Sequence, residues 1–190
     1  MRLPRICLDP GHGGRDPGTV WGTYREKAAA LSFVLDLKTL LDKKPTRTIV
    51  TRGIDEYVTL AERCVRANAY NSDIFLSVHL NAVPEEKRLA GIEAVGMETW
   101  TFKGSKKALT AAEDILEEVG SRFNGYHIRG VRETDKFHVL KGTAMPAVLL
   151  ELGFIDSLHD RTLLQGVESR KRLLQLVADG LLLACSDLCT

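Results

Sequence analysis

The stretch RICLDPGHGG, Arg5 to Gly14, sets an apolar run of strand character directly against a glycine-rich loop. Beyond the loop, Ala30, Phe33, Val34, Leu37, Leu40 and Leu41 recur at helical spacing with charged residues opposite, so the opening reads as strand, loop and covering helix. The alternation continues along the chain. Arg47–Thr51, Ile74–His79, Ile92–Thr101 and Ala147–Leu152 read as further strands, and His138–Leu140 as a short one. Thr59 and Glu62 have the spacing of a capping box, opening a helix with Leu60, Cys64 and Ala67 turned inward. A third helix starts near Ser105, buries Leu109, Ala112 and Leu116 and stops at Gly120, and a last one carries Leu173, Val177, Leu181 and Ala184 on one face. Gly120 to Lys141 reads as an exposed loop. Strands alternating with helices predict an α/β fold, a twisted, mostly parallel sheet of about six strands flanked by helices on both faces.

With 190 residues and no repeats or linker-like tracts, the chain is expected to form one domain over 1–190. Lys+Arg 26 against Asp+Glu 25 leaves a net charge of +1, which supplies no global field for nucleic acid. No run of about 18 apolar residues occurs, so membrane insertion is not expected, and no apolar stretch behind the first arginines reads as a signal peptide. Cys7, Cys64, Cys185 and Cys189 form no disulfide framework and read as reduced structural thiols.

In open α/β sheets ligands bind beyond the carboxyl ends of the strands. The first strand runs into Asp9-Pro10-Gly11-His12, the third ends in His79-Leu80-Asn81, and the fifth carries Glu151 behind Val148, Leu149 and Leu150. His12, His79 and Glu151 are therefore expected on one rim. Glu26, in the first turn of the first helix, is by itself a plain partner of the helix dipole. His79 alone suits a core histidine, and Glu151 alone a strand terminator. A carboxylate at the end of an apolar strand is nevertheless costly to bury without a cation or donors nearby. A phosphate cradle competes for the glycine-rich loop, but the Gly-Lys-Ser/Thr ending of a P-loop is absent. Two histidines and one glutamate suit zinc with an open fourth position, although no compact HExxH signature is present.

DPGHGG (Asp9 to Gly14), DPG (Asp16 to Gly18), EK (Glu26, Lys27), TR (Thr51, Arg52), LAERCVRAN (Leu60 to Asn68), SVHLNA (Ser77 to Ala82), GIE (Gly91 to Glu93) and PAVLLELGFIDS (Pro146 to Ser157) follow in order along the chain. In this succession the sequence resembles the zinc-dependent N-acetylmuramoyl-L-alanine amidases called amidase 3. The resemblance implies a zinc ion on His12, Glu26 and His79, Glu151 as the catalytic carboxylate, and peptidoglycan as substrate. Asn81 is expected to orient a ligand or contact substrate, with a turn-forming role as the alternative, and Asp9 to steady the His12 loop. His127, His138 and His159 match no motif, and His138 alone could reach the cleft. The family often has Asn where Asp156 or Ser157 stands here. Only Val83 to Ala90 separates SVHLNA from GIE, which leaves no room for a long blocking helix and implies an enzyme that is open without an activator protein; a monomer is expected. A chain without a leader would reach the wall after release or export, as an endolysin, a mother-cell autolysin or an excised domain. Two other classes stay open, a zinc peptidase or deacetylase cutting another bond of the wall, and a wall-binding module without catalysis.

Overall fold

A computed structural model describes residues 2–188. In chain order its strands are β1 (Arg5–Pro10), β2 (Val20–Trp21), β3 (Tyr24–Arg25), β4 (Arg47–Val50), β5 (Ile74–Asn81), β6 (Met97–Phe102), β7 (Ile128–Thr134) and β8 (Ala147–Phe154). The helices are α1 (Glu26–Leu41), α2 (Leu60–Ala69), α3 (Glu85–Leu89), α4 (Lys106–Arg122), α5 (His138–Gly142), α6 (Leu158–Gln165) and α7 (Val167–Leu188). Six strands form one sheet in the order β4-β1-β5-β8-β6-β7, and β2 with β3 makes a separate hairpin. In that sheet β4, β1, β5 and β8 run parallel; β6 is antiparallel to β8 and parallel to β7.

Alternate residues of the central strands feed two cores. Ile6, Leu8, Ile74, Leu76, Val148 and Leu150 join α1, α4 and α7 in the larger one. Cys7, Phe75, Ala147 and Leu149 face Cys64 and Ala67 of α2 and Val139 and Leu140 of α5. Near-continuous apolar runs such as AVLL are what a strand covered on both faces requires. Cys7, Cys64 and Cys185 are buried free thiols; Cys189 lies outside the described residues. No helix among the described residues is long and apolar enough to cross a membrane.

After β1 the chain crosses through α1 to β4 on one side, then returns through α2 to β5 on the other. The connections therefore diverge at β1, and the crevice beyond the carboxyl ends of β1 and β5 is the topological switch point. The capping box is present: Thr59 Oγ1 accepts from the Glu62 N–H at 3.2 Å, and Glu62 Oε2 accepts from the Thr59 N–H at 2.8 Å.

Several local expectations are corrected. The strand expected from Ile92 begins only at Met97, because Gly96, at φ 98°, donates its N–H to Asp160 Oδ2 at 2.8 Å instead of joining a ladder. His138–Leu140 opens a helical turn, in which the N–H groups of Leu140 and Lys141 both bond back to Phe137 O. The sixth strand is β7, inside the segment expected to be a loop; as an edge strand it is only half-covered and carries Arg129, Arg132 and Glu133. Leu60, at the first position of α2, is 56% exposed, and Arg63, Cys64 and Ala67 take the inner face. Leu109 is half-buried beside buried Ala108, and α4 continues past Gly120 to Arg122.

Candidate metal centre and active site

β1 ends by handing its chain to a loop held from below by two buried arginines. Arg52 donates from Nη2 to Gly11 O at 2.7 Å and to Lys27 O at 2.9 Å, and from Nε to Pro10 O at 3.1 Å. Arg63 donates to Pro10 O and His12 O, both at 2.6 Å, and pairs with Asp9 at 2.7 Å. Asp9, 1% exposed, also accepts from Ser77 Oγ at 2.7 Å and from the Thr51 hydroxyl. The loop can thus hold His12 at φ 59°, a left-handed conformation uncommon for a residue with a side chain. Gly11 is required by proximity, since a Cβ there would stand 2.3 Å from the His79 ring.

Glu26 opens α1 under this loop and is buried. Its Oε1 lies 2.9 Å from His12 Nε2 and 2.9 Å from His79 Nδ1, and its Oε2 accepts from the Thr19 N–H at 2.9 Å. Burial opposes charge on Glu26, but the two imidazoles outweigh it and hold the carboxyl well below the usual range. The His12 imidazole is shifted upward: burial acts against its charge, and the Glu26 and Asp16 carboxylates more than compensate. Asp16 Oδ2 sits 2.9 Å from His12 Nδ1, the arrangement by which a carboxylate orients a ligating histidine. One ligand atom each from His12, Glu26 and His79 lies within 4.8 Å of the others. Two imidazole nitrogens and a carboxylate oxygen meet the donor chemistry of a catalytic zinc site.

Glu151 lies opposite His79 in the β5–β8 register and lines the same cavity of about 470 Å³. Its Oε2 is buried and has no hydrogen-bond partner among the described residues. Burial, together with the nearby Glu26 and Glu98 carboxylates, pushes its carboxyl up to about 7, against an opposing pull from His79. Asn81 also lines the cavity, donating Nδ2 to Glu98 at 3.0 Å and accepting the Ala82 N–H at 2.8 Å. His138 lines the cavity, whereas His127 and His159 are exposed elsewhere. The glutamate of GIE, Glu93, is exposed, and Glu98 of the following strand is the one the sheet buries. Arg63, Asp16 and Glu98 were not singled out from the sequence; only their places in the LAERCVRAN, DPG and strand segments marked them.

These features define an α/β domain with a candidate mononuclear metal site at its switch point. The chain belongs to the Amidase_3 family, described as N-acetylmuramoyl-L-alanine amidase, whose model matches residues 6–182. It is 33% identical over 186 residues to the sporulation-specific N-acetylmuramoyl-L-alanine amidase of Bacillus subtilis (strain 168), covering 94% of this chain and 67% of that protein. It is 34% identical over 160 residues to the N-acetylmuramoyl-L-alanine amidase CwlM of Bacillus licheniformis, covering 83% of this chain and 59% of CwlM. The chain thus spans about three fifths to two thirds of these relatives. Among solved structures it resembles the N-acetylmuramoyl-L-alanine amidase of Clostridium difficile 630, with TM-score 0.87, 29% identity and 96% of each chain covered.

Proposed function

We propose that this domain hydrolyses the amide between N-acetylmuramic acid and the L-alanine of the peptidoglycan stem peptide. One observation carries the reading: the buried, unpartnered Glu151 Oε2 shares a cavity with the convergent His12, Glu26 and His79. Held by those three residues, zinc supplies Lewis acidity to the scissile carbonyl and to a water molecule. Asp16 fixes the His12 ring, and the Thr19 N–H fixes the second oxygen of Glu26. Glu151 takes a proton from the attacking water and delivers it to the departing alanine nitrogen, leaving a lactyl carboxylic acid and a free amino terminus. Asn81 keeps one amide proton for the substrate after bonding Glu98.

The acting unit is proposed to be the single chain. The segment from Val83 to Ala90 holds only the five-residue α3, which supports a cleft that needs no activator. The wall outside the membrane is the proposed place of action, reached by release or export. The test is mass spectrometry of fragments released from purified peptidoglycan by the zinc-loaded protein, with Glu151→Ala alongside. Stem peptides beginning with a free L-alanine, absent from the variant digest, are expected. Cuts within the peptide or the glycan would replace this reading with another hydrolase, and no release at all would replace it with a binding role.

A further inference from the structure

On the side of the cleft away from His12, β6 and β7 build a second polar cluster that the hydrolytic step does not use. Glu98, 3% exposed, stands opposite Glu151 in the β6–β8 ladder. Its carboxylate accepts from Asn81 Nδ2 at 3.0 Å, Trp100 Nε1 at 3.1 Å and Arg129 Nε at 2.8 Å, and pairs with Arg132 Nε at 3.3 Å. One buried carboxylate therefore faces two guanidiniums. The neighbouring Glu133 carboxylate is turned to the Gly104 N–H at 2.8 Å. Counted as Glu98, Arg129 and Arg132 the cluster carries one surplus positive charge, and Lys136, in the cavity wall, adds a second beside the Glu151 carboxyl.

The two arginines differ in what they have left to give. Arg129 uses Nη1 on Val95 O at 3.3 Å and lies over the Phe154 ring. Arg132 has a 47% exposed side chain, rests over Trp100 at 5.6 Å, and its two terminal nitrogens have no partner among the described residues. Trp100 in turn meets Phe137, a cavity-lining residue, edge to face at 5.4 Å. A guanidinium presents two parallel N–H donors that match a carboxylate in shape and charge, whereas a primary amide offers one acceptor and no charge. Because Glu98 and Trp100 already hold Arg132 in place, a ligand carboxylate meets pre-oriented donors.

Distance fits a substrate arm. His79, Glu151 and Glu98 occupy successive strands about 4.8 Å apart, which puts Glu98 about 10 Å from His79, and the Arg132 guanidinium reaches back from the next strand to within 3.3 Å of the Glu98 carboxylate. A peptide leaving the scissile amide advances about 3.5 Å per residue, so acids two or three residues along arrive at about 7–11 Å. The geometry points to Arg132, supported by Arg129, as a subsite that binds a free carboxylate on the stem peptide and discriminates against its amidated form. This rests on the amidase reading above.

The test compares two N-acetylmuramyl peptides that differ only in whether the second stem residue carries a free carboxylate or a primary amide. The wild-type protein is expected to show about tenfold higher kcat/KM on the free acid, carried by KM, with the preference shrinking at about 0.5 M salt. Arg132→Gln is expected to bring the free acid down to the amide, and Arg132→Lys to keep part of the preference. Calorimetric Kd values of Glu151→Gln for both peptides report the same preference without turnover. Equal kcat/KM for both peptides, or a preference untouched by Arg132→Gln, overturns the subsite and leaves the amidase reading standing. Cleavage of neither peptide, with both bound alike, overturns the amidase reading and the subsite with it.

Discussion

Replacing Asp9 with alanine removes the counter-ion of a guanidinium that is almost wholly buried. Arg63 is 3% exposed and Asp9 1%, and their 2.7 Å pair is backed by the Ser77 and Thr51 hydroxyls. Removing one member of a buried pair costs about 3–5 kcal/mol, because the other charge stays buried alone. Three carbonyls, Val58 O, Pro10 O and His12 O, still accept from Arg63, which keeps this part near the lower figure. Two hydroxyls losing an acceptor add about 1 kcal/mol, since each can rotate to another partner. The sum of about 4 kcal/mol is a large share of a typical stability of about 5–15 kcal/mol. At about 2–4 °C per kcal/mol for a chain of this size, Tm falls by roughly 8–16 °C. Urea and thermal unfolding of the metal-free protein measure the loss. The double variant Asp9→Leu with Arg63→Met should recover at least half of it, because no unpaired charge remains. Its zinc affinity should nevertheless fall below that of the wild type, because the carbonyl of His12 has lost its donor. A loss below about 1 kcal/mol in Asp9→Ala, or wild-type zinc affinity in the double variant, would refute this account of the loop.

Three further outcomes are expected. Gly11→Ala places a methyl group against the His79 ring and should lower zinc stoichiometry, read by atomic absorption, while far-UV circular dichroism stays native. Asp16→Asn leaves the ligands in place but loosens the His12 ring, and competition with a chelator should show zinc binding about 10–100-fold weaker. The pH–rate profile should have an acid limb that belongs to Glu151: burial lifts this carboxyl to about 7 in the metal-free protein, and a bound cation pulls it below that. Glu151 works as a base only when ionised, so kcat/KM falls tenfold per pH unit on the acid side of its pKa and is full above it. Glu151→Gln should lose about 10²–10⁴-fold in kcat with zinc content unchanged, and an acid limb persisting in the residual activity of that variant would remove Glu151 from the base role.

The central sheet was legible because its strands are buried on both faces and so carry long apolar runs, such as Ile74–Leu76 and Ala147–Leu150. The rim of the sheet was not. β7 has no core on one side, and Arg129, Arg132 and Glu133 interrupt any alternation that could mark it as a strand. Val139 and Leu140 are apolar neighbours whose spacing suits a strand and a helical turn equally, and only the bonds back to Phe137 decide. Gly96 reads as an ordinary residue inside a strand until its left-handed backbone and its bond to Asp160 are seen.

The site divides along the same physical line. His12, His79 and Glu151 could be placed together from the sequence because each follows or ends a strand that the apolar pattern had located, and strands of a parallel sheet end on one side. Glu26 could not, because a carboxylate in the first turn of a helix has a sufficient local reason to be there. What brings it to the two histidines is α1 starting directly beneath the His12 loop, which sets its carboxylate 2.9 Å from each imidazole. Arg52 and Arg63 were harder still: an arginine just past a strand end or in a charged helical stretch reads as solvated, and burial is visible only when the loop carbonyls of Pro10, Gly11 and His12 are seen to need donors. This loop holds His12 at a positive φ beside the candidate metal site, and long side chains from elsewhere in the chain reach in to supply the donors its carbonyls need. The motifs TR and LAERC therefore carry chemistry of the loop rather than of the reaction, and substitutions in them should be felt first as displacement of His12 and only through it as loss of catalysis.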